Sequence, residues 1–160
     1  DLAIAARPDE LARSIHFQTI ATVPLAIIAP TISCSVKQAW QIEAIDWENL
    51  PIILPEHGVA RKRFEQWFRQ KYSGRPNVYA QVSGQEALVS MVALGCGIGL
   101  SPIVVVDNSP VKDRIEVLPD TSIAPFDLGL CCFRKKLNDP IVAEFMAMAI
   151  QSFNSPVRSL

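Results

Sequence analysis

Residues 85–102 read QEALVSMVALGCGIGLSP, and the pattern of this stretch is the most decisive for the fold. Leu88 and Val92 lie at helical spacing, so they predict a helix with one buried face. The helix is expected to end at Gly95, because glycine accepts the left-handed conformation of a helix cap. The apolar run that follows, closed by serine and proline, predicts a short buried strand. The stretch thus predicts one helix–turn–strand unit of an α/β fold.

The start of this helix carries a second signal. Ser83 and Glu86 have the spacing of a capping box, in which the serine hydroxyl accepts from the amide of Glu86 and the glutamate reaches back.

The last helix of the chain is expected to begin with Asp139 as N-cap and Pro140 in its first position. That helix is predicted to bury five apolar side chains: Ile141, Val142, Phe145, Met148 and Ala149.

Short apolar runs alternate with helical segments along the rest of the chain. The predicted helix at residues 59–72 places Phe64, Trp67 and Phe68 on one face. Residues 31–49 are predicted to be rich in loops. The alternation indicates an α/β architecture with a mostly parallel sheet. The predicted strands are residues 2–6, 23–29, 51–54, 77–82, 98–100, 114–118 and 126–133.

Composition narrows the functional class. The formal net charge of −1 argues against direct nucleic-acid binding, since phosphate neutralisation needs a basic surplus. No apolar run reaches the ~18 residues of a membrane span, and no signal peptide is visible. Because the first residue is Asp1, the chain is expected to be a fragment. The cysteines are Cys34, Cys96, Cys131 and Cys132, and they are expected to be reduced thiols in a cytoplasmic protein.

The order of segments resembles the effector-binding domain of LysR-type transcriptional regulators over essentially the whole chain. The residues that carry the resemblance are QEALVSMVALGCGIGLSP, the opening DLAIA, VPLAIIAP, PIILPEHG with RKRFEQWF, and FDLGLCCFRKKLNDPIVAEF. VSMVALGCG, RFEQWFR and the loop at residues 108–110 resemble in particular the members that activate isoleucine–valine biosynthesis in response to acetohydroxy acids.

The resemblance implies a fold of the type 2 periplasmic-binding-protein kind, with two Rossmann-like lobes and the effector in the cleft between them. It implies that residues 22–127 form lobe II, while residues 1–21 and 128–160 form the remnant of an incomplete lobe I. The family's N-terminal DNA-binding domain is absent from this sequence. The intact protein is then expected to form homodimers or tetramers and to contact DNA only through that missing domain.

Two loops are candidates for binding a small anion, because ligands of open α/β sheets bind where strands end and helices begin. The resemblance strengthens both, although ordinary loop and cap chemistry is the alternative. Ser101, at the end of a later strand, and Arg7, just after the first strand, are further candidates. The candidate residues in the two loops are Glu56, His57, Gly58, Val59 and Ala60 in the first, and Ser83, Gly84 and Gln85 in the second.

Arg61 is the preferred ligand for an anionic effector among the three cations at residues 61–63. Cations in the first turn of a helix oppose its macrodipole, and such departures from local preference often mark functional sites. A solvated basic face, offset by Glu56 and Glu65, explains the same residues equally well.

The remaining motifs carry no predicted chemistry. His57 and His16 lack partners at metal-ligand spacing, so neither a metal nor another cofactor is expected. The glycines at residues 95–99 follow a helix and precede a strand, the reverse of a dinucleotide-binding motif. Cys96 has no recognisable histidine partner for nucleophilic catalysis. The prediction is therefore an effector sensor that is not an enzyme; a transporter's solute-binding protein and, less favoured, an α/β enzyme are the alternatives.

A further expectation concerns association. If segments of lobe I are missing, the strands at residues 2–6 and 126–133 lose neighbours and expose edges that invite pairing with another chain. Self-association or disorder of the lobe I remnant is therefore predicted.

Overall fold

The computed structural model describes residues 2–41, 45–118 and 122–154, which divide into two units. Unit 1 contains residues 1–23 and 125–160, and unit 2 contains residues 24–124. The elements of unit 1 are β1 (Leu2–Ala6), β2 (Ile15–Val23), β8 (Phe126–Phe133) and α5 (Pro140–Asn154). Those of unit 2 are β3 (Leu25–Pro30), α1 (Ser35–Trp40), β4 (Ile52–Pro55), α2 (Val59–Lys71), β5 (Val78–Val82), α3 (Gln85–Ala93), β6 (Ile98–Pro102), α4 (Ile103–Asp107) and β7 (Ile115–Val117).

The sheet of unit 2 has the strand order β5-β4-β6-β3-β7. Strands β5, β4 and β6 are parallel, whereas β3 is antiparallel to both β6 and β7. The sheet of unit 1 has the order β1-β8-β2, and both of its pairs are antiparallel. The prediction of a mostly parallel sheet therefore holds for three strands of unit 2 and is wrong for unit 1, because β8 inserts between β1 and β2 in the opposite direction.

The sequence analysis did not predict three elements, namely β2, α1 and α4. Apart from Val23, strand β2 occupies residues that the sequence analysis assigned to no element, although its β-branched and aromatic side chains have the composition of a strand. Pro24 separates β2 from β3, so the single strand predicted at residues 23–29 is wrong at its start. Helix α1 lies in the region predicted as loop, and its N-cap is Cys34, whose Sγ accepts a hydrogen bond from the amide of Lys37 at 3.4 Å. Cysteine is an uncommon N-cap, so this helix start gave no signal.

The core of unit 2 packs helices against its sheet. Phe64, Trp67 and Phe68 are buried on α2, which confirms the predicted aromatic face. Burial also raises the pKa of Tyr72, which lies next to this face, with its ring centroid 5.0 Å from that of Phe68. A second cluster joins Ile53 of β4 to three residues of α3, namely Leu88, Val89 and Val92.

The buried face of α5 differs from the prediction. Val142 is buried as expected, and Met146 is buried with it against Leu130 and Cys132 of β8. Ala149 packs partly buried against the same cluster. Three predicted core residues are instead exposed, by 81%, 52% and 61% for Ile141, Phe145 and Met148. The helix is apolar on more than one side, so periodicity alone could not select the buried one.

The start of α5 is as predicted. The amide of Ile141 donates to Oδ1 of Asp139 at 3.1 Å, and Pro140 occupies the first helical position.

None of the helices in the described ranges combines the length and apolar character needed to span a bilayer. All four cysteines are free thiols.

Candidate functional site

The carboxyl ends of β4 and β5 lie side by side at one edge of the unit 2 sheet. The strands are parallel, and Pro55 at the end of β4 is in register with Val82 at the end of β5. The ladder extends one step further, since the amide of Glu56 donates to the carbonyl of Val82 at 3.0 Å. The two loops predicted to bind an anion therefore leave the sheet as immediate neighbours.

This edge also contains a reversal of the chain path. After β4 the chain passes through α2 to β5 on one side, and after β6 it passes through α4 towards β7 on the other. Because β4 and β6 are adjacent and parallel and their connections diverge, the carboxyl end of the sheet between them is a topological switch point. Ligands of open α/β sheets bind at such a switch point.

Both helices that begin here have glycine as N-cap. Gly58 precedes α2 with φ 102°, and Gly84 precedes α3 with φ 96°, conformations that other residues rarely adopt. No side chain in the described part of the chain caps either helix start. A Cβ built at either glycine would meet no atom within 4 Å, so the backbone at both positions faces open space. Each helix start thus presents main-chain amides that the helix itself does not satisfy.

The predicted capping box at Ser83 is wrong. Gly84, one residue later, is the N-cap of α3, and the first intrahelical bond runs from the amide of Leu88 to the Gly84 carbonyl at 3.4 Å. Ser83 is exposed, and the positive φ of Gly84 displaces it from the cap position. The capping-box pattern predicted the wrong N-cap, because the N-cap position requires a positive φ, which favours glycine.

Replacing Ser83 with alanine should therefore change the free energy of unfolding by less than about 0.5 kcal/mol, as expected of a surface position. Asp139→Ala is the matched control, because it removes a side-chain cap that does form, and it should cost about 0.5–2 kcal/mol. Urea unfolding followed by circular dichroism measures both. A loss of about 1 kcal/mol in Ser83→Ala would show that the serine caps α3 in solution.

Arg61 holds this edge together. Its Nε donates to Oε1 of Glu65 at 2.8 Å, an ion pair between neighbouring turns of α2. Its Nη1 donates to the carbonyls of Pro55 and Glu56, at 3.1 and 3.3 Å, and to Oε1 of Gln81 at 2.8 Å. One guanidinium therefore joins the loop after β4 to the last residues of β5. The ion pair with Glu65 is the one expected if residues 61–63 form a solvated basic face.

Gln81 is a contributor that the sequence did not reveal. It lies near the end of β5, and only the pairing of β5 with β4 places its side chain within reach of Arg61. Gln85, in contrast, was predicted. Its Oε1 is buried and accepts no hydrogen bond within the part of the chain that the structure describes.

The other predicted residues take different positions. Glu56 and His57 are exposed, Val59 is half-buried and Ala60 is buried, so Ala60 can offer only its main chain. Ser101 of β6 is fully buried, and its hydroxyl donates to the carbonyl of Pro102 at 3.3 Å. The structure thus places the two loops next to each other, whereas the Ser101 side chain is buried.

Arg7 belongs to unit 1. Its amide donates to the carbonyl of Asp127 at 2.7 Å, and its guanidinium lies 5.7 Å from the ring centroid of Phe17. Among the described residues, no group of three His, Cys, Asp or Glu side chains has the arrangement of a metal site.

Two cavities lie in unit 2, and Arg61 of this edge is among the residues that line the first of them. One of about 340 Å³ is lined by Arg61, Glu65, Phe68 and Arg75, among others. The other, of about 180 Å³, is lined by Trp67, Gln66 and Gln70 together with residues 122–124. The lining of neither cavity includes His57 or Ser83 of the two candidate loops.

Comparison with known proteins identifies the family. The model of the LysR substrate binding domain matches residues 1–154. The HTH-type transcriptional activator IlvY of Haemophilus influenzae is 42% identical over 149 residues, covering 92% of this chain and 51% of the relative. The HTH-type transcriptional regulator IlvY of Escherichia coli is 40% identical over 148 residues, covering 91% and 50%. The chain spans about half the length of these curated relatives.

Solved structures agree on the fold. The regulatory domain of Synechocystis CcmR, in complex with 2-PG, superposes with a TM-score of 0.73 at 18% identity, covering 97% of this chain and 74% of that one. The effector binding domain of QuiR, in complex with shikimate, gives a TM-score of 0.69 at 16% identity, covering 96% and 69%. These likenesses show a mixed α/β fold consistent with the type 2 periplasmic-binding-protein kind. The chain belongs to the LysR substrate-binding domain family.

Proposed function

We propose that this chain is the effector-sensing part of a LysR-type transcriptional activator, and that it binds a small anionic metabolite at the carboxyl edge of the unit 2 sheet. The observation that carries the proposal is the pairing of Pro55 with Val82, which sets two uncapped, glycine-initiated helix starts beside each other. Free amides and the positive end of the helix dipole favour a carboxylate at such a position.

The binding groups are mainly from the main chain. The amides of Gly58 and Val59 at the start of α2, and of Gly84 and Gln85 at the start of α3, are the donors to the carboxylate. His57 supplies a further donor from the first loop. Arg61 acts as a positioning residue, because its guanidinium already donates hydrogen bonds to the Pro55 carbonyl of β4 and to the Gln81 side chain of β5, the strands that precede the two loops. The resemblance to the acetohydroxy-acid-responsive members proposes 2-acetolactate or 2-aceto-2-hydroxybutyrate as effector.

In the intact regulator, the effector would shift the balance between two arrangements of the protein. A ligand can do so only by its difference in affinity for the two states. A coupling of about 1–3 kcal/mol is enough to alter subunit contacts and the DNA geometry. An N-terminal domain outside these residues would contact the DNA, and residues 22–127 and the flanking segments would form two lobes. The intact regulator would be a homo-oligomer in the cytoplasm.

The names of the relatives favour a sensor over the alternatives. The curated relatives at about 40% identity are transcriptional activators or regulators, which fits neither a transporter's solute-binding protein nor an enzyme. We propose that the bound acid leaves the site chemically unchanged.

Calorimetric titration tests the proposal with a matched pair of ligands. Acetoin is 2-acetolactate without its carboxylate, so any difference in affinity reports on that group. Charge-assisted hydrogen bonds are each worth about 1.5–3 kcal/mol, which predicts at least tenfold weaker binding of acetoin. Equal affinity for the two compounds, or no binding of any small 2-hydroxy or 2-oxo acid, would refute the carboxylate site.

A further inference from the structure

The smaller cavity of unit 2, of about 180 Å³, lies on the side of α2 turned away from Arg61. Residues 122–124, in the segment that leads into β8, form part of its lining. The helix contributes four residues of one face: Arg63, Gln66, Trp67 and Gln70. Because successive residues of a helix are rotated by about 100°, Arg61 and Glu65 face the other side. This cavity, called the Trp67 cavity below, is therefore separate from the candidate effector site.

The indole of Trp67 is the first sign of a missing ligand. Trp67 is only 5% exposed, and its buried Nε1 has no hydrogen-bond acceptor among the described residues. A buried indole N–H usually has an acceptor, since the donor has lost its hydration. The ring is held by its neighbours, because the ring centroids of Trp47, Phe64 and Tyr72 lie 5.0, 5.7 and 5.9 Å from its own. The direction of the donor is therefore fixed.

The backbone of Ser122 is the second sign. Among the described residues, Ser122 is the only residue other than glycine with a positive φ, of 53°. Residues with a side chain rarely adopt this conformation, and those held in it cluster at ligand sites. The Ser122 side chain is exposed and lines the cavity, where its hydroxyl adds a donor.

The chemistry of the lining selects the ligand. Arg63 carries a positive charge, Gln66 and Gln70 carry donating amides, and none of the described lining residues is acidic. Nζ of Lys71 lies 5.4 Å from the ring centroid of Trp67 and adds a second positive charge. Such a lining favours an anion over a metal ion. Since a water molecule takes about 30 Å³, the volume suits a small oxyanion and is too small for a nucleotide.

We propose that the Trp67 cavity is a second anion site, which binds a phosphate group or a similar tetrahedral oxyanion. Its donors are a hydroxyl, two amides, a guanidinium and an indole N–H, those of Ser122, Gln66, Gln70, Arg63 and Trp67. They come from both α2 and the segment at residues 122–124. A tetrahedral oxyanion has acceptors in several directions, whereas a carboxylate has two oxygens in one plane, so the former fits better.

The anion reaches the indole from the exposed side of α2. Gln66 and Gln70 are exposed, so their side chains are free to turn aside and uncover Nε1. The bound anion then joins α2 to the segment that leads into β8. Because α2 begins at the candidate effector site, the anion acts on the same helix as the effector. The inference does not depend on which effector binds there.

Indole proton–nitrogen NMR spectra of the 160-residue chain test the site. The chain has three tryptophans, and Trp67→Phe identifies the signal of Trp67 by its loss. During titration with inorganic phosphate, at an ionic strength held constant with sodium chloride, we expect a saturable downfield shift of the Trp67 indole proton. A hydrogen bond to an anion causes such a shift. The signals of Trp40 and Trp47 should move much less, which also shows that the fold is kept.

Two variants of exposed residues test the chemistry of the cavity. Gln66→Glu keeps the shape of the side chain but replaces a donor with a negative charge, so it should weaken phosphate binding at least about tenfold. Arg69→Gln is the matched control, because it lowers the charge of α2 equally but lines the other cavity. Its affinity should stay within about twofold of wild type, since exposed charges are screened by salt.

A parallel titration with glycerol phosphate distinguishes the two sources of the anion. Tighter binding of the ester assigns the cavity to a phosphorylated metabolite, and tighter binding of inorganic phosphate assigns it to the free ion; both support the site. An unshifted Trp67 signal, an equal shift in sodium chloride alone, or wild-type affinity in Gln66→Glu would overturn the inference. None of these readouts involves the amides of the candidate effector site, so the two proposals fail independently.

Discussion

Phe64→Ala should lower the free energy of unfolding of unit 2 by about 3–5 kcal/mol, the usual cost of removing a fully buried aromatic ring. Phe64 has no exposed surface, and its ring contacts those of Trp67 and Phe68 in α2. The neighbouring rings cannot collapse fully into the space, so a cavity remains beneath the helix that starts at the candidate site.

Urea unfolding followed by tryptophan fluorescence measures this change. All three tryptophans of the chain, Trp40, Trp47 and Trp67, lie in unit 2, so the signal reports on that unit. Gln70→Ala is the matched control, because Gln70 is exposed on the same helix, and it should stay within about 0.5 kcal/mol of wild type. A Phe64 variant as stable as this control would show that the aromatic face of α2 is not the core of unit 2.

Arg61→Lys and Arg61→Ala should both weaken the binding of 2-acetolactate about tenfold. The side chain of Arg61 is 22% exposed and donates four hydrogen bonds, so it acts by fixing the loop after β4 against β5. Lysine keeps the charge but lacks the planar fork that reaches several acceptors at once. Either variant should also lose about 1–3 kcal/mol of stability.

Comparing the two variants separates positioning from direct contact. If Arg61→Lys binds as wild type does while Arg61→Ala does not, the charge itself holds the effector, and the positioning role is wrong. Lys62→Ala is the control, because Lys62 is exposed in the same turn, and its affinity should stay within about twofold of wild type. Calorimetry gives the affinities, and urea unfolding gives the stabilities.

The elements with strong periodicity were predictable from the sequence. The aromatic face of α2 and the turn at Gly95, with φ 81°, are both present. Failures arose where local patterns were ambiguous. In α5 apolar residues occur around most of the helix, so the choice between Phe145 and Met146 as the buried residue depended on where β8 lies. The strand at residues 126–133 was expected to expose an edge, but β8 pairs with β1 and β2 on either side.

The candidate site was predictable only in part. Glycines after strands and before helices marked both loops, but their proximity depends on β4 and β5 being neighbours, which no local pattern encodes. The same long-range pairing brings Gln81 to Arg61. Ser101 illustrates the opposite error, because its position at a strand end suggested access, whereas the sheet and its neighbours bury it completely.

The account depends most on the main-chain amides at the starts of α2 and α3 receiving the carboxylate together. Amide proton–nitrogen NMR spectra during a titration with 2-acetolactate measure this directly, with a protein-free sample to correct for spontaneous decarboxylation. We expect saturable shifts concentrated at Gly58, Val59, Gly84 and Gln85, with the ligand chemically unchanged by the protein. Shifts confined to other regions, an absence of shifts, or protein-dependent turnover of the acid would contradict it.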